Sequence, residues 1–551
     1  MSDTYLKHFL RDRIAGAYRS LFDDDPPAAQ VRPNDRPEFG DYATNLAMIA
    51  ANQRGEAPRA LAENLAAALV ENEAEVAFTD AQVAGPGFIN LFLSPSRIQA
   101  ALGQLLADGT SYGRGDDGRG LKLQVEFVSS NPTGPLTVGH GRQAVLGDVL
   151  ATLHDWIGYD VHREYYFNDE GRQIDLLAES LWIRFRERFG ESREIPEGGY
   201  QGEYLKAIGA DLADELGDAY AAFDDEVRAL FRREAVARMT ETIKDDLAEL
   251  GVQFDSWFSE AALHRSGEVD ATLNELRARD GVYDTDGAVW LKAEAFGGAK
   301  DSVLIRSDGR PTYLMVDIAY HINKRDRGFE RVLNVQGADH HAEQTCVKAG
   351  LRILGYPDEF LDYAIHQFVS LKEKGEVQKM STRAGRFVTL RDLVDDLGRD
   401  VVRYFMISRK PEAHLDFDLD LAHAESQDNP ATYIQYAHTR IVSIFRKAAC
   451  DDVDWAAVDL SPLEEPEELE LIKRLDEFPE IVHTAATTFG PHLVAEYGHQ
   501  VSRAFHSYYD RVRVLGEAEA VTRARLALLE GIRLVLRNTL EILGMSIPET
   551  M

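Results

Sequence analysis

A chain of 551 residues is too long for one hydrophobic core and predicts three or four domains. Its 44% apolar and 9% aromatic content is that of a folded globular protein, and no run of about 18 uncharged apolar residues is present to cross a bilayer. Ninety-three acidic against 60 basic residues leave a net charge of −33, so a polyanion would be repelled at long range and could be held only by local basic patches.

Residues 1–110 read as a small α+β unit. It has a helix over 5–22, an acidic loop containing proline, a second helix over 60–70, and a strand over 88–93 announced by Gly85-Pro86-Gly87. The stretch 109–120, rich in Gly and Asp, is the predicted linker. The second unit, 118–400, opens with an alternating strand over 123–128, a turn over 129–135, and a strong helix over 139–157. A further strand follows over 161–167. Strand, glycine-bearing turn, helix, strand is the start of a doubly wound, Rossmann-like α/β fold, whose ligands lie outside the carboxyl ends of the strands. Acidic amphipathic helices over about 180–270 predict an insertion, after which the sheet is expected to resume at 289–291 and 303–305. Residues 401–551 carry apolar faces at helical spacing over 433–448, 465–478, 490–509 and 520–543, and predict an all-α bundle.

Two cysteines, Cys346 and Cys450, far apart in the chain, argue against a disulfide framework and fit a reducing cytoplasm. Lysine is scarce beside arginine. With so many carboxylates, that is the composition of a surface kept in solution by concentrated salt, although a lineage bias would give the same balance.

Chemistry gathers in two places. In 131–140, Gly134 and Gly139 allow a ligand close to the backbone, Pro132 and Pro135 stiffen the loop, and His140 sits at a helix N-terminus suited to phosphate. In 371–385, Lys372, Lys374 and Lys379 fall within eight residues beside Ser381, Thr382 and Arg383, the composition of a basic loop that closes over polyphosphate. A structural turn and a solvated hairpin tip are the plain alternatives for each segment alone. His340-His341 lacks a third ligand at suitable spacing, so no protein-bound zinc is expected. The Gly-x-Gly-x-x-Gly fingerprint of a dinucleotide enzyme is missing from the first turn.

Taken together, Thr137-Val138-Gly139-His140 and Lys379-Met380-Ser381-Thr382-Arg383 resemble the two signatures of class I aminoacyl-tRNA synthetases. The surrounding wording is similar to the arginyl-tRNA synthetase family: Glu126-Phe127-Val128-Ser129-Ser130-Asn131-Pro132-Thr133-Gly134-Pro135, Tyr165-Tyr166-Phe167-Asn168-Asp169, Asp317-Ile318-Ala319-Tyr320-His321 and Gly337-Ala338-Asp339-His340-His341. Phe39-Gly40-Asp41-Tyr42-Ala43-Thr44-Asn45 and Tyr433-Ile434-Gln435-Tyr436-Ala437-His438-Thr439-Arg440 extend the likeness to both ends.

The resemblance implies arginine–tRNA ligase activity. Arginine is joined to ATP with loss of pyrophosphate, then passed to the 3′-terminal ribose of tRNA(Arg), in a monomeric cytoplasmic enzyme that uses ATP with Mg2+. It assigns His140, Lys379, Ser381 and Thr137 to catalysis, and Gly139, Gly337, Asp339, His340 and Met380 to the nucleotide. Glu126, Ser129, Asn131, Tyr313, Asp317 and Gln344 fall to arginine, and Tyr433, Tyr436, His438 and Arg440 to tRNA. The N-terminal unit would contact the tRNA elbow. Two positions depart from the family pattern: Thr137 replaces the usual first histidine and Thr382 the usual second lysine, which removes possible cationic partners for the phosphates. Each such charge-assisted hydrogen bond would be worth roughly 1.5–3 kcal/mol.

Overall fold

The structure, a computed structural model, describes residues 5–34, 36–71, 77–338, 341–377, 388–424, 428–450 and 453–551. In the N-terminal unit, strands Val31–Pro33, Tyr42–Thr44, Phe88–Leu93 and Phe78–Ala84 form an antiparallel sheet in that spatial order. The turn Gly85-Pro86-Gly87 makes the last two a hairpin. Helix Pro95–Asp108 then runs onto the C-terminal bundle, and the predicted linker after it is pinned rather than free. The Tyr112 hydroxyl donates to the Leu475 carbonyl at 3.1 Å, and Gly115 and Gly118 donate to the carbonyls of Trp156 and Ile157.

The central unit is built on five parallel strands: β1 (Lys122–Glu126), β2 (Asp160–Phe167), β3 (Ser256–Ser259), β4 (Arg331–Gly337) and β5 (Leu361–His366). Their spatial order is β5-β4-β1-β2-β3. The chain therefore winds outward from β1 in one direction, returns, and winds in the other. The crevice between β1 and β4 is the switch point where ligands of such sheets bind. Helix α1 (Val138–Trp156) connects β1 to β2. It lies directly on the strand end because Gly147 has no side chain: a Cβ there would come within 2.2 Å of the Phe127 ring.

The predicted insertion is present as helices Arg172–Glu187, Glu203–Leu216 and Asp225–Glu249 around a core of its own that includes Leu181, Phe185, Leu205, Phe231 and Met239. It touches the loop after β1. Tyr204 donates its hydroxyl to the Thr133 carbonyl at 2.7 Å, and its ring fills the space beside Gly134. The insertion also reaches the helix that starts at Leu390, through Asp246 and Arg391 Nε at 3.1 Å.

The expectation for 289–291 and 303–305 is corrected. Val282–Thr285, Ala288–Leu291 and Ser302–Ile305 form a separate antiparallel sheet, and the central sheet resumes only at β4. Asp286 and Gly287 both have positive φ, 50° and 76°. That is the two-residue hairpin turn, which can join only antiparallel strands, since a parallel pair needs a crossover.

Helices α2 (Tyr313–Asp326) and α3 (His341–Ile353) flank β4. The C-terminal unit is the expected bundle, with α4 (Pro430–Ala448), α5 (His492–Arg511) and α6 (Glu519–Ile542) as its long members. The predicted helix over 465–478 is present as Pro466–Asp476, and a further helix, Phe478–Thr487, follows it. Arg403, fully buried, fastens the units: Nε donates to the Leu543 carbonyl at 2.9 Å, Nη1 to the Leu250 carbonyl at 3.2 Å and Nη2 to Asp148 at 2.6 Å. Among the described residues, no helix is long and apolar enough to cross a membrane.

Candidate active site

Strand β1 ends at Glu126, and the turn after it shapes the site. Val128 and Ser129 both have positive φ, 64° and 43°, and the Ser129 N–H closes a three-residue turn on the Phe127 carbonyl at 2.9 Å. A β-branched residue in this region costs about 1–3 kcal/mol. Full burial of Phe127 and near-full burial of Val128 hold it there. The turn sends the Ser129 hydroxyl back to donate to Glu126 Oε1 at 3.0 Å while it accepts the Tyr166 N–H from β2 at 3.2 Å.

The other oxygen of Glu126 accepts from Lys324 Nζ at 2.6 Å. Lys324 is wholly buried and donates also to Asn334 Oδ1 at 3.0 Å. Asn334 Nδ2 in turn meets His321 Nε2 at 2.9 Å, and His321 Nδ1 meets the Asp317 carbonyl at 2.7 Å. The ring nitrogen facing a carbonyl must carry the proton, which leaves Nε2 to accept from the amide. Burial holds the His321 pKa well below its ordinary value, so the ring is neutral.

Above this chain of hydrogen bonds opens a cavity of about 680 Å³. Ten of the residues expected from sequence line it: Glu126, Ser129, Asn131, Thr137, Gly139, His140, Tyr313, Asp317, Gly337 and Gln344. On one side stands the N-terminus of α1. Thr137 is its cap residue; its N–H donates to His140 Nδ1 at 3.1 Å, and its Oγ1 lies 3.2 Å from the same nitrogen. The proton of a neutral ring is thereby placed on Nε2, which is left for the cavity. Burial, and next the nearby His366, hold the His140 pKa down to about 4, so this donor is uncharged at neutral pH. A Cβ on Gly139 would meet only Thr137 Oγ1, at 3.7 Å. Nothing inside the protein needs that space, which belongs to the cavity.

The opposite side is acidic. Asp317, Glu260 and Glu343 join Glu126 on the wall. Burial first, then the charges of Glu343 and Glu126, push the Asp317 carboxyl well above its usual range. Among the described residues that carboxylate has no hydrogen bond or ion pair. Such a wall is short of positive charge, and a planar cation with several N–H donors would satisfy it.

Residues absent from the sequence expectations complete the site alongside the expected Gln344 and Tyr313. The Tyr166 hydroxyl donates to Glu260 Oε2 at 2.6 Å, Gln143 Nε2 donates to the Val335 carbonyl at 2.6 Å, and Gln344 Nε2 donates to Gln336 at 3.1 Å. Tyr363 and His366 line the wall from β5 and its end, and Tyr313 and Phe368 stand at the mouth, 67% and 61% exposed. Asp339, His340, Lys379, Met380 and Ser381, with Thr382 and Arg383, lie outside the described residues. Lys372 is engaged by Asp416 and Lys374 sits 3.8 Å from Glu373, and neither lines the cavity.

The chain matches three protein families in succession: "Arginyl tRNA synthetase N terminal domain" over 6–93, "tRNA synthetases class I (R), catalytic domain" over 101–412, and "DALR anticodon binding domain" over 434–551. It belongs to the arginyl-tRNA synthetase family. Among its relatives, the arginine–tRNA ligase of Thermotoga petrophila is 42% identical over 99% of this chain and 100% of its own length. That of Geobacillus thermodenitrificans is 44% identical over 99% and 98%. The arginyl-tRNA synthetase structure of Thermus thermophilus shares the fold, with a TM-score of 0.78 at 24% identity over 99% of this chain and 100% of that one.

The bundle face expected to meet tRNA in a family member is only partly assembled as the motif implies. The Tyr433 ring packs against His499 and His506 at 5.2 and 5.1 Å, and Tyr436 stacks on His506 at 5.4 Å. Arg440 Nη1 donates to His506 Nδ1 at 2.9 Å, and its guanidinium lies over Tyr509 at 4.7 Å. His438 is elsewhere. It is buried, and its Nδ1 donates to the Pro548 carbonyl at 3.1 Å, so on α4 it holds the C-terminal tail instead of joining that face. Residues 433, 436 and 440 recur at helical spacing on one side of α4, and 438 falls on the other.

Proposed function

We propose that the chain is an arginine–tRNA ligase, and the observation that carries this reading is the polarity of the cavity. One side presents an uncharged donor, His140, at a helix N-terminus suited to phosphate, and the other presents the carboxylates of Glu126, Glu260, Asp317 and Glu343. Arginine is the amino acid whose side chain such a wall selects. Asp317 and Glu260 would take the guanidinium. Glu126, fixed by Ser129 and Lys324, with Asn131 and Gln344, would orient the α-amino end, and Tyr313 would cover the mouth.

With the carboxylate of arginine beside the nucleotide, an arginine oxygen forms a bond to the α-phosphorus as the bond to the pyrophosphate oxygen breaks, giving arginyl-adenylate and pyrophosphate. Positioning and charge stabilisation carry this step, since no proton need be removed from the nucleophile. His140 Nε2–H would donate to the transferring phosphate, Gly139 and Gly337 would leave room for the nucleotide, and Lys379, Met380 and Ser381, with Asp339 and His340, would complete its enclosure. Mg2+ would arrive on the ATP phosphates, a hard cation held by their oxygens without a dedicated protein cage. The terminal ribose hydroxyl of tRNA(Arg) then attacks the arginyl carbonyl and AMP leaves. The N-terminal unit and the face of Tyr433, Tyr436 and Arg440 would hold the tRNA body, and the enzyme would work as a cytoplasmic monomer.

The test is ATP–pyrophosphate exchange with arginine, with and without tRNA(Arg), followed by charging of that tRNA. Exchange in either condition together with arginine acceptance supports the reading. Absence of both, or preference for another amino acid, overturns it.

A further inference from the structure

Helix Leu390–Leu397 begins against the loop that leads into α1. The Leu390 N–H donates to the Leu136 carbonyl at 2.8 Å, and Thr137 and Thr389 face each other in an isolated antiparallel bridge. The first N–H groups of a helix have no partner within it, so this donor is available to a neighbouring carbonyl. Thr389 caps the helix with a reciprocal pair: its Oγ1 accepts from the Asp392 N–H at 3.0 Å, and its own N–H donates to Asp392 Oδ2 at 2.9 Å. The Leu390 side chain is fully buried on the first turn of α1, where a Cβ on Gly141 would come within 2.7 Å of Leu390 Cδ1. From behind, Arg391 Nε holds Asp246 at 3.1 Å and Arg391 Nη1 lies 3.3 Å from Glu249, both on the last turn of the insertion's third helix.

The Leu136 carbonyl and the Thr137 N–H belong to one peptide group, and a peptide group is planar. Its oxygen is held by Leu390, and its N–H donates to His140 Nδ1 at 3.1 Å. The direction of that N–H is therefore set by where Leu390 stands. A peptide whose carbonyl accepts a hydrogen bond is also polarised, which makes its N–H a better donor. Thr137 Oγ1, 3.2 Å from the same nitrogen, is no substitute, because a hydroxyl rotates and accepts as well as donates. The backbone N–H is what fixes Nδ1 as the acceptor.

We propose that Leu390 is a positioning residue for His140: its N–H locks the 136–137 peptide, and that peptide locks the imidazole with its proton on Nε2, toward the cavity. The kinetic consequence rests on the reading of the chain as an arginine–tRNA ligase; the state of the ring does not. Helix Leu390–Leu397 lines no part of the cavity, and it acts there through one peptide.

The experiment removes that hydrogen and keeps the helix. Leu390 is the first residue of its helix, where proline fits, and Thr389 before it has ψ 161°, the extended geometry that a following proline requires. Leu390→Pro loses the N–H and much of the side chain. Leu390→Ala loses the side chain and keeps the N–H, so the difference between the two reports the hydrogen bond. Nitrogen NMR of histidine-labelled protein at neutral pH reads the ring, with His140→Ala identifying its signals among 16 histidines. Wild type and Leu390→Ala should carry the His140 proton on Nε2 alone, and Leu390→Pro should show a mixture of the two tautomers. In ATP–pyrophosphate exchange the kcat of Leu390→Pro should fall roughly tenfold below that of Leu390→Ala. Its KM for arginine should stay within about twofold of that variant's.

An unchanged tautomer in Leu390→Pro, or an equal kcat in the two variants, overturns the proposal, as does a wild-type ring protonated on Nδ1. Should Leu390→Pro not fold, the α-hydroxy analogue of leucine placed at 390 replaces the amide by an ester. It removes the same hydrogen, keeps the side chain, and is judged against wild type by the same outcomes. If the wild type exchanges no pyrophosphate, the enzymatic reading fails while the nitrogen spectra still test the ring.

Discussion

Lys324 places its ammonium 2.6 Å from the carboxylate of Glu126 with no exposure of its own, two helical turns beyond Asp317 on α2. The pair joins the end of the central strand to the helix that carries Asp317. Because burial lowers the Lys324 pKa while Glu126 supports the charged form, the ammonium depends on its partner.

Replacing Lys324 by Met should leave Glu126 buried beside Asn334 without its cation. Breaking a buried pair from one side costs about 3–5 kcal/mol. The expected outcome is a denaturation midpoint lowered to match, with a raised KM for arginine and a smaller change in KM for ATP. An unchanged arginine KM in the folded variant would show that Glu126 needs no support.

Asp317 gives a pH prediction. Its carboxyl is raised by burial and by neighbouring carboxylates, so over the pH range between the ordinary and the raised value the ligand-free protein holds a proton there. A guanidinium would displace it. Arginine binding should therefore release protons, measurable as buffer-dependent heats, and KM for arginine should rise as pH falls. Asp317→Asn should raise that KM by about tenfold or more. The same change should increase stability without arginine, because it removes a carboxylate that the folded state keeps at a cost.

Much of this site is legible in the sequence. Glu126, Ser129, Asn131, Thr137, Gly139 and His140 follow one another through a strand, turn and helix start, so spacing along the chain carries their proximity. Asp317 and Tyr313 share a helix face four residues apart. Glu260 is different. It reaches the cavity because β3 pairs with β2 after an insertion of three helices, and Tyr166 binds it from the next strand. No local pattern encodes that distance. Glu343, Tyr363 and His366 likewise arrive through crossovers of the sheet. The small antiparallel sheet passes for part of the central one because its strands are short and apolar, yet Asp286-Gly287 is a readable hairpin signal. His438 misleads because a motif carried over residue by residue does not say which side of the helix each position faces.

His140 should behave as a neutral donor. With its pKa held to about 4, no activity step assigned to it should appear near neutral pH. The unfolded chain takes up a proton near pH 6.5 and the folded one only near 4, so this residue's share of stability is present above 6.5 and declines as pH falls toward 4. His140→Ala should lower kcat for exchange by about 10²–10³-fold, as for other single donors to a developing charge. Thr137→Ala should cost about 1 kcal/mol through the cap and slow exchange less, because the backbone N–H that holds the ring remains.

Salt offers a prediction for the whole chain. A net charge of −33 repels itself, and added potassium chloride shortens the reach of that repulsion. The thermal midpoint should rise between about 0.1 and 2 M salt, tracked by calorimetry. A midpoint that only falls would refute adaptation to concentrated salt.

The hydroxyl of Tyr204 on the Thr133 carbonyl has a consequence for how this enzyme can be rebuilt. The three-helix insertion has its own core and looks like a cassette that could be exchanged between relatives. It is instead one jaw of a clamp whose other jaw is the loop leading to His140, with the ring seated against Gly134. A transplanted insertion would have to bring a phenol at the same height, and the recipient loop would have to keep a glycine to receive it. Grafts that respect helix boundaries and ignore that pair should fold as two good halves with a slackened loop before His140 between them.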